Sequence, residues 1–318
     1  MAVPATTKAS AKTLKQLARL CGLVGGSTKA ACLDLLTPLT PAAPAATPPA
    51  PRTPVPGRRR VLSVDMGIRN FSYAILDADT HAPGPAYVHD WRRMDVLDAA
   101  DAVALTPIAY SRLAYALFVQ YLLPKYSPDV VVIERQRHRT GSAPALVEWA
   151  FRVNMFESAI AGVLHCHVAD RGLPIAIEAV SPRTTKAFWL DAGTRLTAAQ
   201  SKKACVDIVR GWASAFAAHR PADVLFSPEV AAHVARFAGE RRTRAGADSE
   251  AVPTPINAAV ARRDAKIDDL ADSLLQGVSW LLWQRNRAAV GAALAAGADL
   301  DALATRLEAE HRARTGRA

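Results

Sequence analysis

The chain has 318 residues, which is enough for one sizeable hydrophobic core and a small accessory module. Lys and Arg number 39 against 29 Asp and Glu. The resulting formal charge of +10 indicates a polyanionic partner, either nucleic acid or an acidic membrane surface, unless the excess only reflects an Arg-rich and Ala-rich composition. No apolar run approaches the roughly 20 residues that cross a bilayer. The 4 cysteines form no C-x-x-C pair, so neither a zinc site nor a disulfide framework is expected.

Residues 1–37 combine two patterns. No acidic residue precedes Asp34, and basic residues stand among Ala, Ser and Thr, which is typical of a mitochondrial targeting segment. The same stretch predicts two short helices, since apolar residues fall at helical spacing on either side of a break at 22–27. The string LKQLARLCGLVGGSTKAACLDLL resembles the SAP motif, a pair of helices that binds the DNA backbone. We expect a targeting segment at 1–12 and a SAP-like module at 13–37, with a plain targeting segment as the alternative.

Residues 38–57 contain 8 prolines and predict an extended spacer between two domains. The pattern then becomes α/β, with strands predicted at RRRVLSVDM, FSYAILDAD, AYVHDWRRM, DVVVIERQ and PIAIEAV. Helices are predicted at about 107–124, 145–170, 198–218 and 262–285. This order is that of the RNase H-like fold, a mixed sheet flanked by helices, and we place the domain at 58–287. An irregular stretch is expected from 219 to about 258, and a helical tail of unassigned packing at 288–318.

Two carboxylates stand at the ends of predicted strands. Asp65 ends the first strand and Glu134 ends the apolar strand VVVIE. Taken singly, each is more often a turn-capping residue or the polar end of a strand. On neighbouring strands, however, two like charges held close together need a cation between them.

A predicted helix near the C-terminus carries three more acids, in KIDDLADSLLQGVSWLL. Asp268 and Asp272 are four residues apart and Asp269 and Asp272 three apart, so either pair shares a helix face. Asp268 and Asp272 border the apolar stripe, and Asp269 points further toward solvent. A solvated acidic face is the alternative. Combined with the strand-end pair, these oxygen ligands suit Mg²⁺, with Mn²⁺ as a substitute, and two such ions can hydrolyse a phosphodiester.

Basic residues accompany the acids. The candidates for contact with DNA phosphates are Arg135, Arg137, Arg139, Arg183, Lys186, Lys202 and Lys203. The first three follow Glu134 in RQRHRTG. The alternative to phosphate contact is that this segment is only an exposed basic loop. The helix ALVEWAFRVNMFESAIAGVL is apolar on more than one side, which suits either a dimer interface or a core helix.

The chain resembles the fungal mitochondrial Holliday junction resolvases, which are RNase H-like nucleases related to the bacterial junction resolvases. The resemblance is carried by VLSVDMGIRNFSYAILD, VVIERQRHRTGSAPALVEWAFRVNMFESAIAGVL, EAVSPRTTKAFWL, SKKACVDIV and KIDDLADSLLQGVSWLLWQRN. These strings cover most of residues 60–285 in the family's order, and a SAP-like segment also occurs in members of this family. The resemblance implies a homodimer that binds four-way junctions and makes paired, symmetric nicks.

The resemblance also implies a ligand set. Asp65, Glu134 and Asp272 match the family's metal ligands, and either Asp268 or Asp269 is the fourth. The bacterial relatives space their last two acids by three, which favours Asp269. The helical wheel favours Asp268, to which we give slightly more weight, and the choice stays open.

We therefore expect a metal-dependent endonuclease that resolves junctions in mitochondrial DNA recombination. Because a spacer separates the two predicted modules, cleavage is expected to survive removal of residues 1–57. The alternatives are another RNase H-like nuclease, acting on RNA in hybrids or in transposition, and a non-catalytic mitochondrial DNA-binding protein with vestigial acids.

Overall fold

A six-stranded mixed sheet forms the centre of the protein, with the strand order β5-β4-β1-β2-β3-β6. The computed structural model describes residues 8–39, 57–96, 106–136, 148–190, 196–239 and 267–315. The strands are β1 (Arg58–Asp65), β2 (Phe71–Asp79), β3 (Ala86–Met94), β4 (Val130–Glu134), β5 (Ala176–Val180) and β6 (Val224–Phe226). Strands β1, β2 and β3 form an antiparallel meander, while β4, β5 and β6 each run parallel to the neighbour they join. The predicted mixed α/β sheet is confirmed.

Helices cover both faces of the sheet. They are α1 (Ala11–Leu20), α2 (Lys29–Leu36), α3 (Pro107–Ala114), α4 (Leu123–Tyr126), α5 (Glu148–Arg171), α6 (Pro182–Trp189), α7 (Ala198–Ala217), α8 (Ala231–Ala238), α9 (Ile267–Ala296) and α10 (Leu300–Arg314). A π-helical segment, Tyr115–Leu122, joins α3 to α4, so the helix predicted at 107–124 is continuous. Pro124, which cannot donate a backbone hydrogen bond, follows this wider segment. In the described part of the chain, no helix is long and apolar enough to span a membrane.

The alternation of side chains along β1 assigns each residue to one of two cores. Val61 packs in the core that contains α6 to α10 together with α1 and α2. Leu62 and Val64 pack in the opposite core, with α3, the π-helical segment and α5. Since successive side chains point to opposite faces, Asp65 faces the same side as Val61 and Ser63. That side is the one covered by α9.

Two predicted boundaries are wrong, and the packing of the predicted tail is now assigned. The stretch expected to be irregular from 219 contains β6 and α8, and their Phe226 and Phe237 rings stack on Trp91. The last predicted helix runs to Ala296 rather than 285. The expected tail is α10, which buries Leu303 and Leu307 in the main core. A three-residue strand is too short to show alternation, which explains why the pattern did not reveal β6.

The two helices predicted at 13–37 are present as α1 and α2, and they belong to the main core. Asn286 Nδ2 on α9 donates to the Leu20 carbonyl at 2.6 Å, and Arg287 Nε donates to the Cys21 carbonyl at 2.8 Å. A Cβ at Gly22, where φ is +66°, would clash with the Trp283 ring. The helix pair is thus part of the main core, and its likeness to the SAP motif stays a prediction. Residues 40–56 of the predicted linker lie outside the described residues.

Candidate active site

Asp65 and Glu134 stand side by side at the carboxyl ends of two neighbouring parallel strands. The register pairs Val64 of β1 with Ile133 of β4, so the next residue of each strand is an acid. Alternation along β4 places Val132 in the core beneath α9, and Glu134 therefore faces α9 as well. The charge of Glu134 is the largest charge contribution to the raised pKa of Asp65, as expected for side chains this close. The prediction that these acids are neighbours is confirmed.

The first turn of α9 is fixed over the sheet by polar contacts from β2 and β3. Ser72 Oγ donates to the Asp269 carbonyl at 2.6 Å, and the Trp91 indole nitrogen donates to the Leu270 carbonyl at 2.8 Å. Both contacts use carbonyls at the start of the helix, so they set its rotation as well as its position. Asp269 and Asp272 consequently approach the strand-end acids.

The electrostatics show that these acids interact. Burial, followed by the charges of Glu134, Asp272 and Asp269, raises the pKa of Asp65 well above its usual value. Burial also raises the pKa of Asp272 to about 6, although the positive charges of Lys186 and Lys202 oppose that shift. Burial is thus the main cause of both shifts, and at Asp65 the neighbouring acids add to it.

The structure separates the two acids between which the sequence could not decide. Asp268 turns toward α7, where its Oδ2 lies 2.8 Å from Lys202 Nζ. Asp269 turns toward β3, where its Oδ2 lies 3.2 Å from Arg93 Nε. The charge of Asp269 is among the largest contributions to the raised pKa of Asp65, while the charges of both Asp268 and Asp269 act on Asp272. The arrangement therefore favours Asp269 over Asp268 as the partner of the strand-end acids.

The predicted basic residues divide into two groups. Lys186 on α6 and Lys202 on α7 lie close enough to Asp272 to lower its pKa, so both border the acid cluster. Lys203 is directed elsewhere, with its Nζ 2.6 Å from Asp207 and its side chain 77% exposed. Arg183 is exposed on α6.

The basic segment after Glu134 is described only at its beginning. Arg135 is exposed, and its backbone N–H donates to the Val180 carbonyl of β5 at 2.8 Å. The backbone N–H of Gln136 lies 3.2 Å from Glu157 Oε2 on α5. Arg137, His138 and Arg139 lie outside the described residues.

Two residues that the sequence analysis did not single out belong to the site. Arg93 joins Asp269 to Asn70, because its guanidinium also donates to the Asn70 side chain in the turn after β1. Gln276 is a buried amide within the apolar stripe of α9. A polar residue inside such a stripe was a signal available in the sequence, whereas nothing local marks Arg93.

The donor chemistry of the cluster fits a hard divalent cation. Within the described ranges, no group of three or more His, Cys, Asp or Glu side chains is arranged closely enough to hold a metal ion. Nevertheless Asp65, Glu134, Asp269 and Asp272 act on one another electrostatically and offer only oxygen atoms. Burial raises the pKa values of two of them, Asp65 and Asp272, and carboxylate oxygens are the ligands that Mg²⁺ prefers.

The mixed sheet and its acid cluster define an α/β protein of the RNase H-like class. A family model described as "Mitochondrial resolvase Ydc2 / RNA splicing MRS1" matches residues 61–290 as its catalytic domain. The chain belongs to this family, and the resemblance seen in the sequence is confirmed.

Similar proteins agree with this assignment. "Cruciform cutting endonuclease 1, mitochondrial" of Schizosaccharomyces pombe is 27% identical over 244 residues, which are 73% of this chain and 81% of the relative. The Saccharomyces cerevisiae protein of the same name is 29% identical over 154 residues, 47% of this chain and 42% of the relative. The crystal structure of the yeast mitochondrial Holliday junction resolvase Ydc2 matches with a TM-score of 0.58 at 24% identity, over 91% of this chain and 99% of that one. This last likeness supports the fold.

Proposed function

We propose that this chain is a structure-selective endonuclease that resolves four-way DNA junctions in mitochondria by metal-dependent phosphodiester hydrolysis. The observation that carries the proposal is the meeting of Asp65, Glu134, Asp269 and Asp272 at one end of the sheet. The family supports it, since relatives are named mitochondrial cruciform cutting endonucleases and a cruciform contains a four-way junction.

The same four acids would hold Mg²⁺, with Mn²⁺ as a substitute. When bound there, such ions would supply an activated water and neutralise the oxygens of the scissile phosphate. With Asp268 included, five carboxylates face three cationic side chains, those of Arg93, Lys186 and Lys202. One divalent ion would only balance this excess, whereas two would leave positive charge for a phosphate. This charge balance supports two ions.

The flanking cations are proposed to hold DNA. Lys186 and Lys202 border the acids on one side and Arg135 extends the site along the end of β4, so phosphates next to the cut would meet positive charge. Arg183 adds to the same side of α6. Lys203, paired with Asp207, contributes only nonspecific attraction that weakens with salt.

We propose that the active form is a homodimer that uses the outer face of α3 and α5. On α5, Phe156 and Ile160 belong to the core, as a core helix requires. Phe151 of the same helix is nevertheless 53% exposed, and Ile108 of α3 and Tyr115 beside it are 65% and 45% exposed. A two-fold dimer presents two equivalent sites, which suits paired cuts in two symmetry-related strands.

RNA splicing is the second candidate function, because the family description names it beside resolution. A splicing factor would use the basic surface but would not need the acid cluster. Asp65 and Asp272 are partly buried near other acids, an arrangement that costs free energy and that a splicing factor would not need, which favours the nuclease.

The test compares a synthetic four-way junction, the linear duplex, an RNA–DNA hybrid and a structured RNA, each with and without Mg²⁺. We expect Mg²⁺-dependent cleavage of the junction alone and its loss in Asp272→Asn. Degradation of the hybrid without junction cleavage would indicate another RNase H-like nuclease. Tight binding of the RNA without any cleavage would favour the splicing function.

A further inference from the structure

Gln276 is a buried amide on α9, one helical turn beyond Asp272, and only 3% of it is exposed. Its Nε2 lies 3.0 Å from the Val64 carbonyl oxygen and 3.3 Å from the Val132 carbonyl oxygen. The same nitrogen lies 3.2 Å from Ser63 Oγ. The amide therefore contacts two different strands from a single position on the helix.

Those two strands are the ones that end in the acids. Val64 directly precedes Asp65 on β1, and Val132 lies two residues before Glu134 on β4. Gln276 thus links the helix that bears Asp272 to both strands at the point where each approaches its carboxylate. Among the described residues, Ser63 Oγ joins α9 to β1, whereas the Gln276 amide reaches both strands.

The helix lies directly on the sheet at this point. A Cβ at Gly277 would come within 3.0 Å of the Ser63 Cβ, so a larger residue would push α9 away from β1. Ser63 Oγ also donates to the Ser273 carbonyl at 2.8 Å. Apolar contact alone is non-directional and would tolerate a small slip of the helix along the sheet. Hydrogen bonds do not tolerate it, because their strength falls steeply with misalignment.

We propose that Gln276 is a positioning residue that fixes where α9 lies along β1 and β4, so that Asp269 and Asp272 meet the strand-end acids in a ligand arrangement. The inference rests on the proposed function, because it assigns those acids to metal binding. An apolar side chain would fill this buried position without the cost of desolvating an amide. The directional contacts of the amide account for its presence, since carboxylates that share an ion must lie within about 0.5 Å of the positions that the ion requires.

The test replaces the amide with an apolar side chain of similar shape, Gln276→Met. Mn²⁺ binding to the DNA-free protein, measured by calorimetry, should weaken by about 10–100-fold, as is typical when support for a ligand is lost. Junction cleavage should fall by a similar factor and recover in part at high Mn²⁺ concentration. Junction binding in Ca²⁺ should stay within about twofold, because the basic surface is unchanged.

Asn286→Leu is the matched control. Asn286 is also a buried amide on α9, 8% exposed, and it donates to the Leu20 carbonyl. It lies roughly 15 Å further along the helix, and its side-chain amide donates to α1 rather than to the sheet. This control should lose thermal stability while its Mn²⁺ affinity equals that of the wild type.

Wild-type Mn²⁺ affinity and cleavage in a folded Gln276→Met protein would overturn the inference. Equal losses of Mn²⁺ affinity in Gln276→Met and Asn286→Leu would also overturn it, since the effect would then be general destabilisation. If Gln276→Met does not fold, Gln276→Asn keeps the amide but is too short to reach both strands, and the same outcomes apply to it. Absence of junction cleavage in the wild type would refute the proposed function instead, and calorimetry would still decide the role of Gln276.

Discussion

Arg93 on β3 forms an ion pair with Asp269 on the first turn of α9, with 3.2 Å between Nε and Oδ2. The pair is largely shielded, since the two side chains are only 11% and 19% exposed. The guanidinium also donates to Asn70, in the turn that follows the strand ending in Asp65. Arg93 therefore orients one acid of the cluster and attaches it to the turn beside another.

We expect Arg93→Met to weaken both Mg²⁺ binding and junction cleavage by about 10–100-fold, because Asp269 loses the partner that orients it. Arg92→Met is the control: Arg92 Nε pairs with Asp90 at 2.8 Å on the opposite face of the sheet from Arg93, so its loss should affect stability alone. Calorimetry for the metal and single-turnover cleavage measure the two effects. Identical metal affinities in the two variants would contradict the role given to Arg93.

Asp269→Asn should reduce cleavage more than Asp268→Asn does. Loss of a proposed metal ligand should lower cleavage by more than the roughly 10–100-fold expected when only the residue that orients the ligand is lost. Asp268 instead pairs with Lys202, whose side chain is 56% exposed, and exposed pairs contribute little. Cleavage rates at saturating Mg²⁺ give the ranking. The reverse order would indicate that Asp268 is the ligand, as the helical wheel favoured.

The sequence was sufficient to predict where the strand-end acids lie, but not which acids of the helix lie beside them. Asp65 and Glu134 could be placed because strand ends and side-chain alternation are local properties. The apolar stripe gives the face of α9 that packs on the sheet, but its rotation depends on distant donors, Ser72 and Trp91. Such contacts leave no periodic signal, so the wheel could not choose between the neighbouring aspartates.

The metal-free protein should become more stable as the pH falls from neutral toward the ordinary carboxyl range. Burial raises the pKa of Asp272 to about 6, so the folded state takes up a proton there that the unfolded state does not hold. The free energy of unfolding therefore decreases as the pH rises through this window. Asp272→Asn should then stabilise the metal-free protein at about pH 7 while abolishing cleavage.

Thermal unfolding of wild type and Asp272→Asn at several pH values measures this difference. His311, whose pKa burial lowers to about 4, acts in the opposite direction, so only the comparison between the two proteins isolates the aspartate. Saturating Mg²⁺ should remove the advantage of the variant, because the wild type alone gains a bound ion. A variant that is less stable than the metal-free wild type at about pH 7 would disprove the cost of burying the Asp272 charge that is inferred here.

Removal of the N-terminal helices should unfold the catalytic domain, contrary to the expectation that residues 1–57 are dispensable. Leu17 is fully buried in the main core, and Arg19 of the same helix pairs with Glu308 of α10. Leu17→Ala should cost about 2–5 kcal/mol of unfolding free energy. Lys15→Ala, a change at an exposed position of the same helix, should alter the free energy of unfolding by no more than about 0.5 kcal/mol. Chemical denaturation measures both, and a stable, active protein lacking residues 1–39 would contradict this prediction.

The amphipathic pattern of α1 predicted the helix but not the surface it covers. Its apolar face could serve an independent module or a larger core equally well. The decisive contacts, from Trp283 and Asn286, come from the opposite end of the chain. For the same reason the packing of α10 could not be assigned, because its buried leucines meet residues far away in the sequence.

The last prediction concerns the dimer. Phe151→Glu places a charge on the exposed apolar face of α5, and we expect it to yield a monomer, since a buried unpaired charge opposes association. Val24→Glu is the matched control, because Val24 is 67% exposed in the turn between α1 and α2, on the other side of the sheet. Light scattering at about 0.15 M salt gives the mass, and a plasmid with an extruded cruciform reports the chemistry. Paired cuts by a dimer linearise the plasmid, whereas independent cuts by a monomer leave nicked circles. A monomeric Phe151→Glu protein that still linearises the cruciform would show that paired cutting does not depend on this face.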